Sequence, residues 1–159
     1  MKNILKKLGG NEKGFSLTEI TIVLIILAIG FGFSVLYTQT IQVQSDLKSI
    51  SSNFVGLART AQSNANSGKQ GVGTGVHLDT KEYVLFEGGV YDPNAPTNYT
   101  VEMPSTIDIQ NINLNGGGSE VIFLSPKGET NTHGTFSFFS SQNNKSIPIT
   151  ITNIGSIQY

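Results

Sequence analysis

The sequence predicts an α+β chain in which a long N-terminal α-helix packs on a C-terminal antiparallel β domain. Three observations carry this. A nearly unbroken apolar run follows a lysine-rich start, an amphipathic stripe of helical spacing continues it, and beyond Gly75 the pattern changes to the alternation of strands.

The first half of the helix is the segment 15–37, interrupted apart from its glycines only by Ser16, Thr18, Glu19, Thr21 and Ser34. As a helix it is about 34 Å long, enough to span a hydrocarbon core of about 30 Å. Lys2, Lys6, Lys7 and Lys13 precede it against the single acid Glu12, and the next charges are Asp46 and Lys48. The positive-inside bias then keeps the start of the chain in the cytoplasm and sends everything after Tyr37 outward. Within this run Glu19 stands out, because an acid among lipid-facing residues is costly and marks a functional position with a partner. An ordinary cleavable signal does not fit: the only small-x-small site, Ala28-Ile29-Gly30, lies inside the run. A lipoprotein is excluded by the lack of cysteine.

Gly14-Phe15-Ser16-Leu17-Thr18-Glu19 after a short lysine-rich leader resembles the prepilin signature of type IV pilins and pseudopilins. The resemblance implies a leader, 1–14, removed by a prepilin peptidase after Gly14. It also implies N-methylation of the new first residue, Phe15, and a role in assembly for Glu19. The charges support the same roles. Cleavage creates an ammonium at Phe15, and Glu19 lies one helical turn further on. Opposite charges attract far more strongly in low dielectric than in water, and either one alone is costly there. A pair between neighbouring subunits would therefore register their addition to a polymer. A second role for Glu19, compatible with the first, is a solvated acid favoured by the helix dipole.

The helix is expected to continue as an amphipathic half, 38–66. Val43, Leu47, Phe54, Ala58, Ala61 and Ala65, with Ile50 and Leu57, form one stripe, while Gln42, Asp46, Lys48, Ser52 and Arg59 fall elsewhere. Asn66-Ser67-Gly68 is a stop signal leading into a loop over Gly68–Gly75. Leu36 stands where major pilins often carry a proline, and Gly30 and Gly32 are the positions at which this helix would loosen instead.

From 76 to 159 an exported β-rich domain is predicted. Tyr83–Phe86, Tyr99–Met103, Thr106–Ile109 and Ile112–Leu114 read as strands, and the parity of the apolar positions slips between Ile109 and Ile112, which predicts a bulge. Glu120–Leu124 is a continuous apolar run and so a central strand, closed by a turn at Ser125-Pro126-Lys127-Gly128. Thr135–Phe139, Ile147–Ile151 and Ser156–Tyr159 complete the set, with Pro148 demoting its strand to an edge or a bulge. Short strands cannot cover both faces themselves, so the helical stripe is expected to cover one.

Ile122-x-Leu124-x-Pro126-x-Gly128 followed by Ile149-x-Ile151-x-x-x-Gly155-x-Ile157 is similar to the C-terminal pattern of minor subunits of the FimT and GspH-type group, with Leu124 in place of the more usual aromatic. That resemblance implies two small antiparallel sheets packed on the helix and a position at or near a filament tip.

Composition excludes several classes. Beyond the leader, six basic and ten acidic residues leave a formal charge of −4, which favours neither duplex DNA nor anionic lipid. DNA is therefore not expected as a partner, and neither Lys127, Lys145 nor His133 makes a basic patch. No disulfide holds the exported domain. Gly68-Lys69-Gln70 and Gly71–Gly75 lack the context of a phosphate loop. His77, Asp79 and His133 lack metal-ligand spacing, and Asp92-Pro93-Asn94 offers one carboxylate where calcium needs several. Asn98-Tyr99-Thr100 and Asn144-Lys145-Ser146 are formal glycosylation acceptors. No enzyme, metal or cofactor is predicted.

The expected function is a minor pilin or pseudopilin in the cytoplasmic membrane, single-pass with its C-terminal domain outside, and then in a pilus or pseudopilus. Its expected partners are other pilins or pseudopilins, prepilin peptidase, membrane lipid before assembly and the inner-membrane assembly platform. The alternatives are a type II secretion pseudopilin, a DNA-binding tip pilin for competence, and an anchored β-sandwich adhesin that never polymerises.

Overall fold

The computed structural model describes residues 14–68 and 73–159, with residues 34–40 described by their backbone alone. Lys2, Lys6, Lys7 and Lys13 of the expected leader lie outside the described residues, as do residues 69–72 of the expected loop. One helix, α1 (Leu17–Asn66), contributes to two compact units, one reaching to Gln39 and the other running from Thr40 to Tyr159.

In the first unit every described side chain of α1 through Phe33 is exposed, and apolar groups point outward all round. Among the described residues no helix is long and apolar enough to cross a membrane. The expected 15–37 segment ends within the stretch whose side chains are not described.

In the second unit the predicted stripe is the buried face of α1. Val43, Leu47, Phe54, Ala58, Ala61 and Ala65 are buried, and Ile50 and Leu57 are half-buried. Ser51 and Val55 join them. Ser51 is tolerated because its hydroxyl donates to the Leu47 carbonyl one turn back, at 2.9 Å. The helix ends where asparagine and glycine predict it, with Gly68 at φ 63°.

Among the described residues nine strands follow: β1 (Thr74–Leu78), β2 (Glu82–Glu87), β3 (Tyr99–Glu102), β4 (Ile107–Leu114), β5 (Glu120–Leu124), β6 (Glu129–Thr130), β7 (Gly134–Ser140), β8 (Lys145–Ile151) and β9 (Ile157–Gln158). They form two antiparallel sheets, ordered β3-β2-β1-β5-β6 and β4-β7-β8-β9. Both sheets meet α1 in one apolar core. Val76 and Phe123 enter it from the first sheet, and Ile107, Phe138 and Ile149 from the second.

Two sequence expectations need correction. The stretch Gly71–Gly75 is not loop throughout, because the β domain starts at Thr74 rather than 76 and β1 is the middle strand of its sheet. Its glycine serves close approach rather than a turn: a Cβ on Gly75 would lie 2.5 Å from Phe86 Cζ and 2.9 Å from the Val121 carbonyl oxygen. The helix also begins at Leu17, two residues after Phe15, because Ser16 caps it. The bulge is where the parity slip predicts it, with the register shifting between Gln110 and Asn113 and Asn111 at φ 56°. Pro148 pairs with Ser137 on β7, while β9 reaches only Thr150 and Ile151. Along Pro148, β8 is therefore an edge, as a residue without an N–H requires.

Candidate functional site

The candidate site is the entry to α1. Gly14 and Phe15 lie outside the helix, exposed, and nothing comes within 4 Å of the position a Cβ on Gly14 would take. Ser16 closes the first turn. Its carbonyl accepts from the N–H groups of Glu19 at 3.1 Å and Ile20 at 3.2 Å, and its Oγ accepts from the Glu19 N–H at 3.2 Å. The Thr18 hydroxyl lies 2.8 Å from Ser16 Oγ. Serine at the cap with glutamate three residues on is the pattern of a capping box. This signal stands in the sequence as Ser16-Leu17-Thr18-Glu19, yet it is easily passed over when the apolar run dominates the reading.

The cap places two expected site residues side by side. Phe15, just before the cap, and Glu19, in the first turn, line one shallow recess with Ile20, Val23 and Leu24. Phe15 across from Ile20 is the arrangement of a hydrophobic staple, which fixes how the chain enters the helix. Glu19 is exposed, and its negative charge complements the partial positive charge of the helix N-terminus. Beyond it, Phe31 and Phe33 remain more than 70 % exposed. A helix apolar all round is stable in water only when something covers it.

Elsewhere the described residues offer little chemistry. His77 faces Glu120 across the β1–β5 pair, with Nδ1 3.5 Å from Oε1, and stacks on Tyr91 at 4.1 Å. Asp79 instead accepts from the N–H of Thr80, and the carbonyl of His133 accepts from the backbone of Asn115. Among the described residues no three histidine, aspartate or glutamate side chains gather to hold a metal. Asp92 closes a turn by accepting from the N–H of Asn94 at 2.9 Å.

No protein-family model matches the chain, and no curated protein matches it in sequence. Among solved structures, the chain is similar to the minor pseudopilin EpsH of the type 2 secretion system of Vibrio cholerae, at a TM-score of 0.51 and 13% identity over 71% of this chain and 94% of that one. The fold is pilin-like. In this pilin-like chain the sheets are built from Thr74 to Gln158, and the candidate site belongs to the N-terminal unit.

Proposed function

We propose that this chain is a minor pilin or pseudopilin, a structural subunit of a filament. Prepilin peptidase cuts it after Gly14, Phe15 becomes the methylated N-terminus, and the apolar part of α1 holds the subunit in the cytoplasmic membrane until it enters the filament. The observation that carries this reading is the division of one helix: an all-round apolar stretch behind a capped, glutamate-bearing start, and a second stretch packed on two sheets. The likeness of the fold to EpsH supports it.

The exposed, non-helical Gly14–Phe15 bond is open to a peptidase, which needs an extended chain at the bond it cuts. Once cut, the Phe15 ammonium of one subunit and the Glu19 carboxylate of the next neutralise each other, and neither charge is left alone in an apolar surrounding. Other pilins or pseudopilins then cover the apolar face, and the assembly platform in the inner membrane adds subunits one at a time. Intact-mass and N-terminal analysis of the protein extracted from membranes tests this. The expected product starts at N-methyl Phe15, and a product that keeps Met1 through Gly14 in cells with active peptidase overturns the reading.

A further inference from the structure

In the second unit, α1 carries Ser52, Asn53, Gly56 and Thr60, all exposed, beside half-buried Leu57 of its stripe. Across from it stand Tyr99 and Val101, on one face of β3, which is the edge strand of its sheet. Between helix and strand runs a groove of about 440 Å³, within the size range of small-ligand clefts.

Small residues alone would make only a gap, but a buried tyrosine opens into this one. Tyr83 is 1% exposed, its ring held edge-on by Phe54 at 5.4 Å, and it forms part of the groove wall. Its hydroxyl makes no hydrogen bond among the described residues and is not sealed away inside the core. A buried tyrosine hydroxyl ordinarily finds a partner, and this one, on a residue that lines the groove, has none among the described residues. Burial and the neighbouring Tyr99 push its pKa up to about 12, which keeps the hydroxyl a proton donor at neutral pH.

Two further observations define the ligand. Tyr99 lies at the groove with 59% of its surface exposed, a free aromatic face. No lining residue carries a charge, and most are hydroxyl or amide side chains. An anion or a cation would find no counter-charge there. Thr60 Oγ1 already donates to the Gly56 carbonyl at 3.0 Å and can still accept, but an apolar ligand would leave the Tyr83 hydroxyl unpaired. A peptide strand added to β3 would extend the sheet in its own plane and leave the Tyr83 hydroxyl unused. A sugar fits both halves of the surface, because its C–H face packs on an aromatic ring while its hydroxyls both donate and accept.

We infer that this groove binds a neutral carbohydrate, with a sugar ring stacked on Tyr99 and its hydroxyls bonded to Tyr83, Ser52, Asn53 and Thr60. The inference is independent of how the N-terminus is processed. It also supplies a use for Gly56: a Cβ at that position meets nothing within 4 Å, so the glycine leaves the floor open rather than relieving a clash.

The test uses the full-length protein in a sugar-free zwitterionic detergent, titrated with lactose, cellobiose and diacetylchitobiose, with sulfated lactose as the charged comparison. Saturation-transfer NMR reads contact at the sugar C–H protons. At least one neutral disaccharide is expected to receive transfer. Gly56→Leu, which fills the floor from an exposed helix position, is expected to abolish it, and Tyr83→Phe and Tyr99→Ala to weaken affinity about tenfold each. Near-ultraviolet circular dichroism establishes that each variant keeps its fold. The inference is overturned by any of three results. One is the absence of transfer to all three neutral sugars at millimolar concentration. Another is transfer that survives Gly56→Leu or appears only with the sulfated sugar. The third is self-association through β3 that Gly56→Leu blocks.

Discussion

Phe54→Ala removes the side chain at which α1 meets both sheets. Phe54 is fully buried, and its ring stands against Tyr83 of β2 at 5.4 Å and against Phe136 and Phe138 of β7 at 5.0 and 5.7 Å, each near edge-on. Truncating a buried phenylalanine costs about 3–5 kcal/mol. Each edge-on pair adds about 0.5–1.5 kcal/mol beyond its buried area, so three such contacts place Phe54 at the upper end, near about 5 kcal/mol. That is comparable to the whole stability of many domains, about 5–15 kcal/mol. Phe54→Leu keeps much of the volume but loses the ring geometry, for a loss of about 2 kcal/mol. Urea unfolding of the full-length protein in micelles measures both, followed by tyrosine circular dichroism because the chain has no tryptophan. A loss below about 2 kcal/mol for Phe54→Ala, or equal losses for the two variants, refutes the reasoning. The sheets would then be held by each other and not through the helix.

Tyr83 gives the alkaline limb of stability. Burial first and Tyr99 second push its pKa from 10.0 up to about 12, so the unfolded chain gives up this proton before the folded one does. Stability is intact below pH 10 and falls between pH 10 and 12, by on the order of 2–3 kcal/mol. Tyr83→Phe should flatten that slope in unfolding curves measured across the range, and an unchanged slope counts against it. Gly155 sits at φ 79°, and a Cβ there runs into the Gln62 side chain and the Gly128 carbonyl. Gly155→Ala is therefore expected to cost about 2 kcal/mol or more, read as a shift in urea midpoint, and a neutral result would show that this loop yields. For Glu19→Ala we expect normal cleavage but exclusion from filaments. Losing one member of a buried pair costs about 3–5 kcal/mol, or more than about a hundredfold in incorporation. Quantitative blotting of sheared filaments measures this, and wild-type incorporation would remove the charge pair from the proposal.

Much of the second unit is legible in the chain because burial leaves a period. The helical stripe from Val43 to Ala65 is legible except for Ser51 and Val55, since one face of α1 is covered and the other wet. The bulge in β4 was readable because a slipped register moves apolar residues to the wrong face. At the candidate site, Gly14, Phe15 and Glu19 are legible through the resemblance, and Ser16 carries a capping pattern that is local and needs no tertiary contact.

What the sequence determined by itself is therefore what depends on near neighbours along the chain: the helix and its end, the strands with clear alternation, the turn at Gly128 and the acid in the first turn. Tertiary structure alone decided the rest. Strand β1 is hidden because Gly75 and the glycines before it look like a loop until Phe86 and Val121 are seen pressing on Gly75. The two-residue β6 has too little length to show any period, and it exists only because β5 offers a partner. The groove beside Tyr83 belongs to the same class, for it joins positions far apart in sequence that only the packing of helix on sheet brings together.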